Sequence, residues 1–381
     1  MNSKERVLAA FRKEPVDQVP IYHVGYSSEV ASVILGREAY VGGGIQQWRE
    51  AAAWWEGDED HAAFCERSLQ DAIDVALACQ QDIVRVNYWR YNHKPTRRID
   101  EYTFAFEYGP EDNWRILSFD PPSEQCSIRS YLPPASLTFA DLERGLDRSE
   151  ASLQDYAPDE ARFANEFEAR RRLGDQYAIR LSAAGLGISL ASIWMEATVL
   201  RPDLVERSLD IQMHRAEVNI RYLAENGFQF IFGGEDLATN DGPAYSPRVF
   251  ARFVLPRLQH LSAVCHACGA FFSFQSDGNL WPIADDLFGR SGIDSYHEID
   301  RRAGMDLRKL RARFPDLTLI GNINSTDVAL QSTEQVAAQT LDCLDTARET
   351  TGVIVGMSNY FVPGTPPENV AAVLETIDRH R

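Results

Sequence analysis

The sequence has few cysteines, no long apolar run and fewer basic than acidic residues. Its six cysteines are scattered, and only Cys265 and Cys268 are close, without the second pair that a zinc knuckle needs. Such usage is typical of free thiols in a reducing compartment. No apolar run approaches the roughly 18 residues of a membrane span. The N-terminal stretch carries charges where a signal peptide needs its apolar core, so we expect a cytoplasmic protein that binds no membrane.

The charge balance and the missing motifs exclude further classes of protein. The 381 residues include 38 basic and 56 acidic ones, for a formal net charge of −18. This charge repels phosphate backbones, so we expect no nucleic-acid partner. The sequence contains neither a G-x-S-x-G elbow nor a dinucleotide fingerprint. A local cationic pocket could still bind a small anionic molecule, so a small-molecule substrate is the expected ligand.

Apolar stretches of strand length alternate with amphipathic stretches along most of the chain. Continuously apolar strands that alternate with helices predict an α/β fold, with a parallel sheet covered by helices. Eight such strands predict a closed (β/α)₈ TIM-like barrel. The predicted strands are 19–25, 82–89, 177–185, 228–236, 270–278, 295–299, 317–324 and 353–360. The later helices are predicted near 202–225, 247–268, 280–289, 305–313, 333–349 and 366–380.

The stretch from about 91 to 175 departs from this alternation. Its apolar pattern predicts a β-hairpin over 102–118, followed by an acidic helical segment near 139–170. We expect this insertion after strand two to lie over the top of the barrel or against a partner subunit. The sequence shows no internal repeat and no independent linker, so we predict one domain over residues 1–381.

Two helix starts have the composition of capping boxes. Ser332 precedes Gln335 by three residues, which is the capping-box spacing. Thr365 is predicted as an N-cap, with Pro366 at the first helical position and Glu368 completing the box.

Each predicted strand changes from apolar to polar at its carboxyl end. In a (β/α)₈ barrel these ends meet around the pocket, so we expect the polar residues to surround one cavity. Strand alternation places Ser273, Gln275 and Asp277 on one face and Phe272 and Phe274 on the other. The polar residues at the eight ends are His23; Asn87, Tyr88, Trp89 and Arg90; Arg180 and Ser182; Glu235 and Asp236; Gln275, Ser276 and Asp277; His297 and Glu298; Asn322 and Asn324; Ser358, Asn359 and Tyr360.

Five stretches stand in a characteristic order along the chain. They are RVLAAFRKEPVDQVPI (6–21), GEDLATNDGPAYSPRVFARFVLPRL (234–258), QSDGNLWPIADDL (275–287), GNINSTDVAL (321–330) and VPGTPPENV (362–370). In this order and spacing they resemble the uroporphyrinogen decarboxylase-like superfamily, and the resemblance covers nearly the whole chain. It implies a (β/α)₈ barrel whose site lies at the carboxyl ends of the strands, and a homodimer. The superfamily contains decarboxylases, and methyltransferases that work with corrinoid proteins or thiols.

The chain departs from two patterns of that superfamily. Porphyrinogen decarboxylases carry an arginine-rich loop after strand one, whereas this chain has YHVGYSSEVAS, so uroporphyrinogen is not the expected substrate. Zinc methyltransferases carry His-x-Cys at strand five and a further Cys at strand eight. The matching residues here are Gln275, Asp277 and Asn359, which include no thiolate. An oxygen-rich set of Asp277 and Glu298, with Glu235 or His297, could hold a divalent metal ion or act without one.

The first functional hypothesis is methyl transfer from a small O- or N-methylated substrate to a corrinoid protein or another acceptor. Expulsion of the poor leaving group needs a proton or a metal ion at the leaving atom, and general acid help contributes about 10²–10⁴-fold. Asp277, Glu298, His297 and Glu235 are the catalytic candidates, and any metal ion would bind Asp277, Glu298 and His297. Because no corrinoid-binding domain is evident, cobalamin would be carried by a separate partner protein.

The alternative hypothesis is a metal-free decarboxylase of a small carboxylic acid. Arg180 or Arg90 would bind the carboxylate, and Asp277 or Asp236 would stabilise or protonate the reacting centre. A non-catalytic binding barrel fits less well, because converging carboxylates repel one another. The sequence narrowly favours methyl transfer. The substrate-binding candidates are His23, Asn87, Trp89, Arg90, Arg180, Asp236, Gln275, Asn322, Asn359 and Tyr360.

Overall fold

A closed ring of eight parallel strands forms the centre of the molecule. The computed structural model describes residues 1–86, 90–91, 93–107, 114–129 and 137–381. Residues 20–22 close the ring, because Ile21 O accepts from Asp82 N at 2.8 Å and Pro20 O accepts from Val355 N at 2.9 Å. The other neighbours pair in parallel, which confirms the predicted barrel. The strands are 20–22, Ile83–Val84, Ala178–Ile179 with Leu181–Ala184, Phe230–Gly234, Phe271–Gln275, Ser295–His297, Thr318–Ile320 and Val353–Ile354.

Helices cover the outside of the ring. None of them, within the residues that the structure describes, is long and apolar enough to cross a bilayer. The longer helices are Ser28–Leu35, Gly44–Glu56, Asp58–Ala78, Ser192–Leu200, Pro202–Glu225, a continuous helix made of Pro247–Val249, Phe250–Val254 and Leu255–Ala267, Thr333–Glu349 and Pro367–His380. Shorter helical segments are Trp281–Ile283, Asp285–Arg290, Arg301–Ala303, Leu307–Arg313 and Ser325–Leu330.

The two predicted capping boxes have different outcomes. The box at Ser332 is confirmed, since its side chain accepts from Gln335 N and the Gln335 side chain accepts from Ser332 N. The box at Thr365 is wrong. The last helix begins one residue later, at Pro367, and the Thr365 hydroxyl donates to Val362 O at 2.7 Å instead.

The N-terminal helix, Ser3–Phe11, closes the lower end of the barrel. The Phe11 ring lies 5.2 Å from the ring of Phe230 and 4.9 Å from that of Phe271. These aromatic side chains bury a large apolar area, so the lower half of the barrel is a packed core rather than a channel. Among the described residues, this packing leaves the carboxyl ends of the strands as the side from which a ligand could reach the inside of the barrel. The inner core also contains Val7, Ala10, Tyr22, Ile83, Ala178, Phe232, Ile320 and Ile354.

The predicted insertion contains a larger sheet than a hairpin. The hairpin of Thr103–Glu107 and Trp114–Asp120 is confirmed, and Arg97–Arg98 and Gln125–Arg129 extend it to four antiparallel strands. The predicted helical segment is also confirmed, as Phe139–Ala151 and Ala164–Leu173, with the short turn Glu160–Phe163 between them.

The inserted sheet is attached beside the mouth of the barrel. The Glu124 carboxylate accepts from Ser28 N at 2.7 Å and Glu29 N at 3.1 Å, at the start of the helix after strand one. The Gln125 amide donates to the Tyr360 hydroxyl at 3.0 Å, in the loop after strand eight. The sheet therefore borders the opening through which a substrate would pass. That the whole chain forms one domain stays a prediction.

Gly278 allows the loops after strands four and five to approach each other. Its φ is +83°, and a Cβ there would lie 2.6 Å from Ala238 O. We expect Gly278→Ala to lower the free energy of unfolding by about 1 kcal/mol through backbone strain, and by about 1–3 kcal/mol more through the clash. The matched control is Gly364→Ala, at φ +76° with no described atom within 4 Å of the added Cβ. Equal losses in urea denaturation of the two variants would contradict the close approach.

Candidate active site

Three carboxylates from consecutive strand ends meet at the mouth of the barrel. Oxygen atoms of Asp236, Asp277 and Glu298 all lie within 4.8 Å of one another. The strand register explains this, because Gln275 lies opposite both Gly234 and His297, so the residues just beyond come together. Asp236 is exposed, Asp277 is half-buried and Glu298 is 8% exposed. The group thus extends from solvent into the barrel.

Burial and neighbouring charges raise the pKa of Asp277 and that of Glu298. Burial is the largest cause for Asp277, followed by the charges of Asp236 and Asp300, and together they raise the pKa of Asp277 to about 7. Burial, followed by the charge of Asp277, raises the pKa of Glu298 to about 8. Each group has the other as a near neighbour, so ionisation of one opposes ionisation of the other. The pair therefore retains a proton near neutral pH.

This retained proton makes stability depend on pH. The pKa values rise in the native state, from 3.8 and 4.5 to about 7 and about 8, so the native protein binds more protons than the unfolded chain between these limits. Stability should therefore fall as pH increases from 5 to 8, by up to about 1.4 kcal/mol per pH unit for each excess proton. Urea denaturation of the wild type and of an Asp277→Asn/Glu298→Gln double variant would measure this slope. We expect a flatter slope in the variant, and identical slopes would contradict the shared proton.

Asn359 fixes the orientation of Asp277. Its Nδ2 donates to Asp277 Oδ2 at 3.0 Å, while its Oδ1 accepts from Tyr360 N at 2.7 Å. Because the second contact leaves only the NH₂ group facing Asp277, the amide stabilises the ionised form of that carboxyl. Tyr360 lies at the border with the inserted sheet, where Gln125 donates to its hydroxyl.

Arg180 provides a buried positive charge inside the barrel. It is 2% exposed, and its guanidinium donates to the Tyr22 hydroxyl at 2.5 Å and to the Gln275 side-chain oxygen. Its Cζ lies 4.6 Å from the centre of the Phe232 ring. The positive charge lowers the pKa of Glu298 and so partly offsets the effect of burial. Gln275 therefore holds Arg180 in place beside the carboxylates.

His297 does not belong to the carboxylate group, contrary to its predicted catalytic and metal-binding role. Its ring is fully buried, 5.3 Å from the Tyr22 ring and 6.2 Å from the Phe232 ring. Burial holds its pKa well below the usual value, and neither ring nitrogen has a hydrogen-bond partner among the described residues. Asp236, predicted to bind substrate or to stabilise the reacting centre of a decarboxylase, takes its place in the candidate metal-binding set.

Glu235 also lies outside the carboxylate group. Its side chain packs on the loop after strand three, where a Cβ on Gly187 would lie 2.5 Å from Glu235 Cγ. Burial and the charge of Asp236 raise its pKa. Both residues follow the end of strand four at Gly234, and of the two Asp236 joins the carboxylate group. The structure does not bring Glu235 into the group with Asp277 and Glu298, and its catalytic role stays a prediction.

Arg90 is held by another acidic residue. Its guanidinium donates to Glu50 Oε1 at 2.5 and 3.0 Å, and Glu50 is fully buried. Its guanidinium is thus engaged within the protein, and its substrate-binding role stays a prediction. Of its neighbours in the predicted substrate-binding set, Asn87 and Trp89 lie outside the described residues, as does Tyr88.

Asn322 and His23 face the layer between barrel and helices. Asn322 Nδ2 donates to Met305 O at 3.3 Å, and its Oδ1 accepts from Cys343 Sγ at 3.5 Å. His23 Nδ1 accepts from Met357 N at 3.3 Å, and burial lowers the pKa of His23 to about 3. These contacts engage both side chains within the protein, and their substrate-binding roles stay predictions.

The carboxylate group fits a hard divalent cation and does not fit a thiolate-bound zinc ion. All three ligands that converge are carboxylates, and oxygen ligands suit magnesium, calcium or manganese. Gln275 and Asn359, the other two positions that match the zinc ligands of similar methyltransferases, are engaged with Arg180 and Asp277. A cation here would bind Asp236, Asp277 and Glu298 in place of the shared proton.

Comparisons with known proteins agree with the resemblance. A family model described as uroporphyrinogen decarboxylase (URO-D) matches residues 184–380. The methylcobamide:CoM methyltransferase MtaA of Methanosarcina barkeri is 28% identical over 195 residues, 49% of this chain and 52% of that protein, so the match spans about half of this curated relative. A solved methyltransferase from Methanosarcina mazei shares the fold, with a TM-score of 0.63 at 20% identity over 100% of this chain and 99% of that one. Since the family model covers more than half of its length, this chain belongs to the uroporphyrinogen decarboxylase family.

Proposed function

We propose that this protein removes a methyl group from a small O- or N-methylated compound and passes it to a corrinoid. The similarity to methyltransferases supports methyl transfer as the general reaction. The observation that carries the proposal is the convergence of Asp277 and Glu298 at the mouth of the barrel, where burial raises the pKa of both carboxyl groups. A corrinoid carried by a partner protein would supply the nucleophile and accept the methyl group.

The proton of the pair neutralises the leaving atom. As the bond between the methyl carbon and oxygen or nitrogen breaks, the electron pair stays on that atom, which gains basicity. Asp277, oriented by Asn359, donates the proton and becomes a carboxylate that the Asn359 amide stabilises. General acid help of this kind contributes about 10²–10⁴-fold to the rate. The demethylated product leaves as an alcohol, phenol or amine. The methyl group is then on the corrinoid, and the proton from Asp277 is on the leaving atom.

In a second form of this mechanism, a divalent cation would bind the same three carboxylates. It would supply positive charge at the leaving atom in place of the proton. The carboxylates would then act as ligands, and their oxygen chemistry suits such an ion. Metal analysis of the purified protein, with activity measured before and after a chelator, separates the two forms.

Decarboxylation of a small acid is the weaker alternative. It needs a cationic side chain that can bind the substrate carboxylate. Of the two predicted candidates, Arg90 is paired with Glu50, and Arg180 is 2% exposed with its guanidinium on Tyr22 and Gln275. Both guanidinium groups are thus already engaged by protein side chains. The arrangement therefore favours methyl transfer.

The test is a screen of substrates with the purified chain and chemically reduced cobalamin as acceptor. Methoxylated aromatics and methylated amines are the donors, and the methylated corrinoid is followed by its visible spectrum. The proposal predicts methylated corrinoid with at least one donor, and demethylated product in equal amount. Release of CO₂ from a carboxylic acid, without methyl transfer from any donor, would contradict it. A homodimer and a cytoplasmic location are also part of the proposal, and gel filtration tests the first.

A further inference from the structure

A second group of metal-ligating side chains lies between two helices on the outside of the barrel. It consists of Glu50, on the helix Gly44–Glu56, and of His61 and Cys65, on the helix Asp58–Ala78. The ligand atoms of all three lie within 4.8 Å of one another. His61 and Cys65 are four residues apart, so the helix presents them on one face. Their site is separate from the carboxylates at the strand ends.

The distances within this group are close to the edges of a tetrahedral site. His61 Nε2 lies 3.2 Å from Glu50 Oε1 and 3.6 Å from Cys65 Sγ. With zinc bonds of about 2.0–2.3 Å to nitrogen, oxygen and sulfur, the ligand atoms of a tetrahedral site lie about 3.3–3.6 Å apart. One sulfur, one nitrogen and one oxygen ligand form a set that suits zinc rather than magnesium or calcium.

Neighbouring groups hold two of these ligands in fixed orientations. The indole of Trp54 stacks on the His61 ring, with centres 3.8 Å apart and an angle of 3° between the planes. The second oxygen of Glu50 accepts from Tyr91 N at 2.8 Å. Contacts of this kind orient metal ligands in known sites.

A cationic side chain already contacts two members of the group. Arg90 Nη2 lies 2.5 Å from Glu50 Oε1 and 3.2 Å from Cys65 Sγ. The Arg90 side chain is 11% exposed, so it lies nearer to solvent than the fully buried Glu50. The position therefore attracts positive charge.

We propose that Glu50, His61 and Cys65 form a zinc site in which the ion takes the place of the Arg90 guanidinium and water completes the coordination. Such an ion would join two helices that are adjacent in sequence and tie them to the segment at residues 90–91. The proposal is independent of the methyl-transfer proposal, which uses other residues.

Titration of the full chain with Co²⁺ tests this site. A bound thiolate gives cobalt an intense near-ultraviolet charge-transfer band, and the carboxylate group at the strand ends has no sulfur with which to produce it. We expect one equivalent of Co²⁺ to generate the band, Cys65→Ser to abolish it, and His61→Gln to weaken binding at least about 10-fold. Cys268→Ser, at another partly exposed cysteine, is the matched control and should keep the band.

Further measurements distinguish loss of a metal ligand from misfolding of a variant. Circular dichroism establishes the fold of each variant, and Arg90→Gln should bind Co²⁺ at least as tightly as the wild type because the competing cation is gone. In the wild type, bound Zn²⁺ should slow alkylation of Cys65 at least about 10-fold, as judged by peptide mapping, because a metal-bound thiolate is shielded. Absence of the cobalt band from the wild type, or alkylation of Cys65 at the same rate with and without Zn²⁺, would overturn the proposal.

Discussion

Asp277→Asn should lower kcat/KM for methyl transfer by about 10²–10⁴-fold, the contribution expected of a general acid. The substitution keeps the size of the side chain and a hydrogen-bonding group for Asn359, which lies 3.0 Å away. It removes the group that can release a proton to the leaving atom. It also removes one ligand if a divalent cation occupies the site, so both forms of the mechanism predict the loss. Steady-state kinetics with the best donor from the screen measures it.

The matched control for this variant is Asp241→Asn. Asp241 is an exposed carboxylate in the hairpin after strand four, outside the carboxylate group. This variant should retain the kcat/KM of the wild type. Activity of Asp277→Asn within threefold of the wild type, in a folded protein, would remove Asp277 from the reaction.

Arg180→Met should move the alkaline limb of the pH profile of kcat/KM upward by about 1–3 pH units, the shift expected when a nearby opposite charge is lost. Arg180 lies inside the barrel, where its positive charge lowers the pKa of Glu298. Without that charge the pair keeps its proton to a higher pH, so the acid form persists. A purely structural role would lower activity at every pH without moving the limb. The pH profile therefore identifies Arg180 as a positioning residue that acts through Glu298.

Arg171→Met is the control for this substitution. The Arg171 side chain is 72% exposed and pairs with Glu168, three residues away on the same helix. Its removal should leave the pH profile unchanged. An unshifted limb in Arg180→Met would show that this charge does not govern the proton of the pair.

The sequence predicted the barrel and the position of its mouth because both depend on local patterns. Apolar strands that end in polar residues identify the carboxyl ends, and alternation along strand five places Gln275 and Asp277 inward. The buried Phe272 and Phe274 belong to the outer core, as this alternation requires. Strand order and register then bring Asp236 and Glu298 to Asp277.

The contacts of several predicted site residues could not be predicted because their partners are distant in sequence. No local pattern indicates that Glu50 binds Arg90, 40 residues away, or that Cys343 contacts Asn322. At strand one, the polar side chain of His23 made it the predicted cavity residue. The neighbouring Tyr22 instead places its ring in the inner core. Strict alternation from the barrel axis would have identified Tyr22.

His297 and Glu235 illustrate a different limit. Both belong to pairs of adjacent polar residues, and a sequence does not show which member of such a pair faces the cavity once the strand has ended. Glu298 adopts a φ of +71°, a left-handed conformation uncommon for residues other than glycine. This backbone geometry brings Glu298 to Asp277 and leaves His297 in the core. Strand alternation alone does not predict this backbone conformation of Glu298.

The protonation state of the carboxylate pair is the most direct test of the proposed active centre. Infrared spectroscopy of the chelator-treated protein detects a protonated carboxyl group, and comparison with Glu298→Gln and Asp277→Asn assigns its signal to the pair. We expect a protonated carboxyl at pH 6 that disappears as the pH rises past about 7 to 8, and that is reduced in both variants. Full ionisation of Asp277 and Glu298 already at pH 5 would contradict the central claim that these strand ends hold a proton for the reaction.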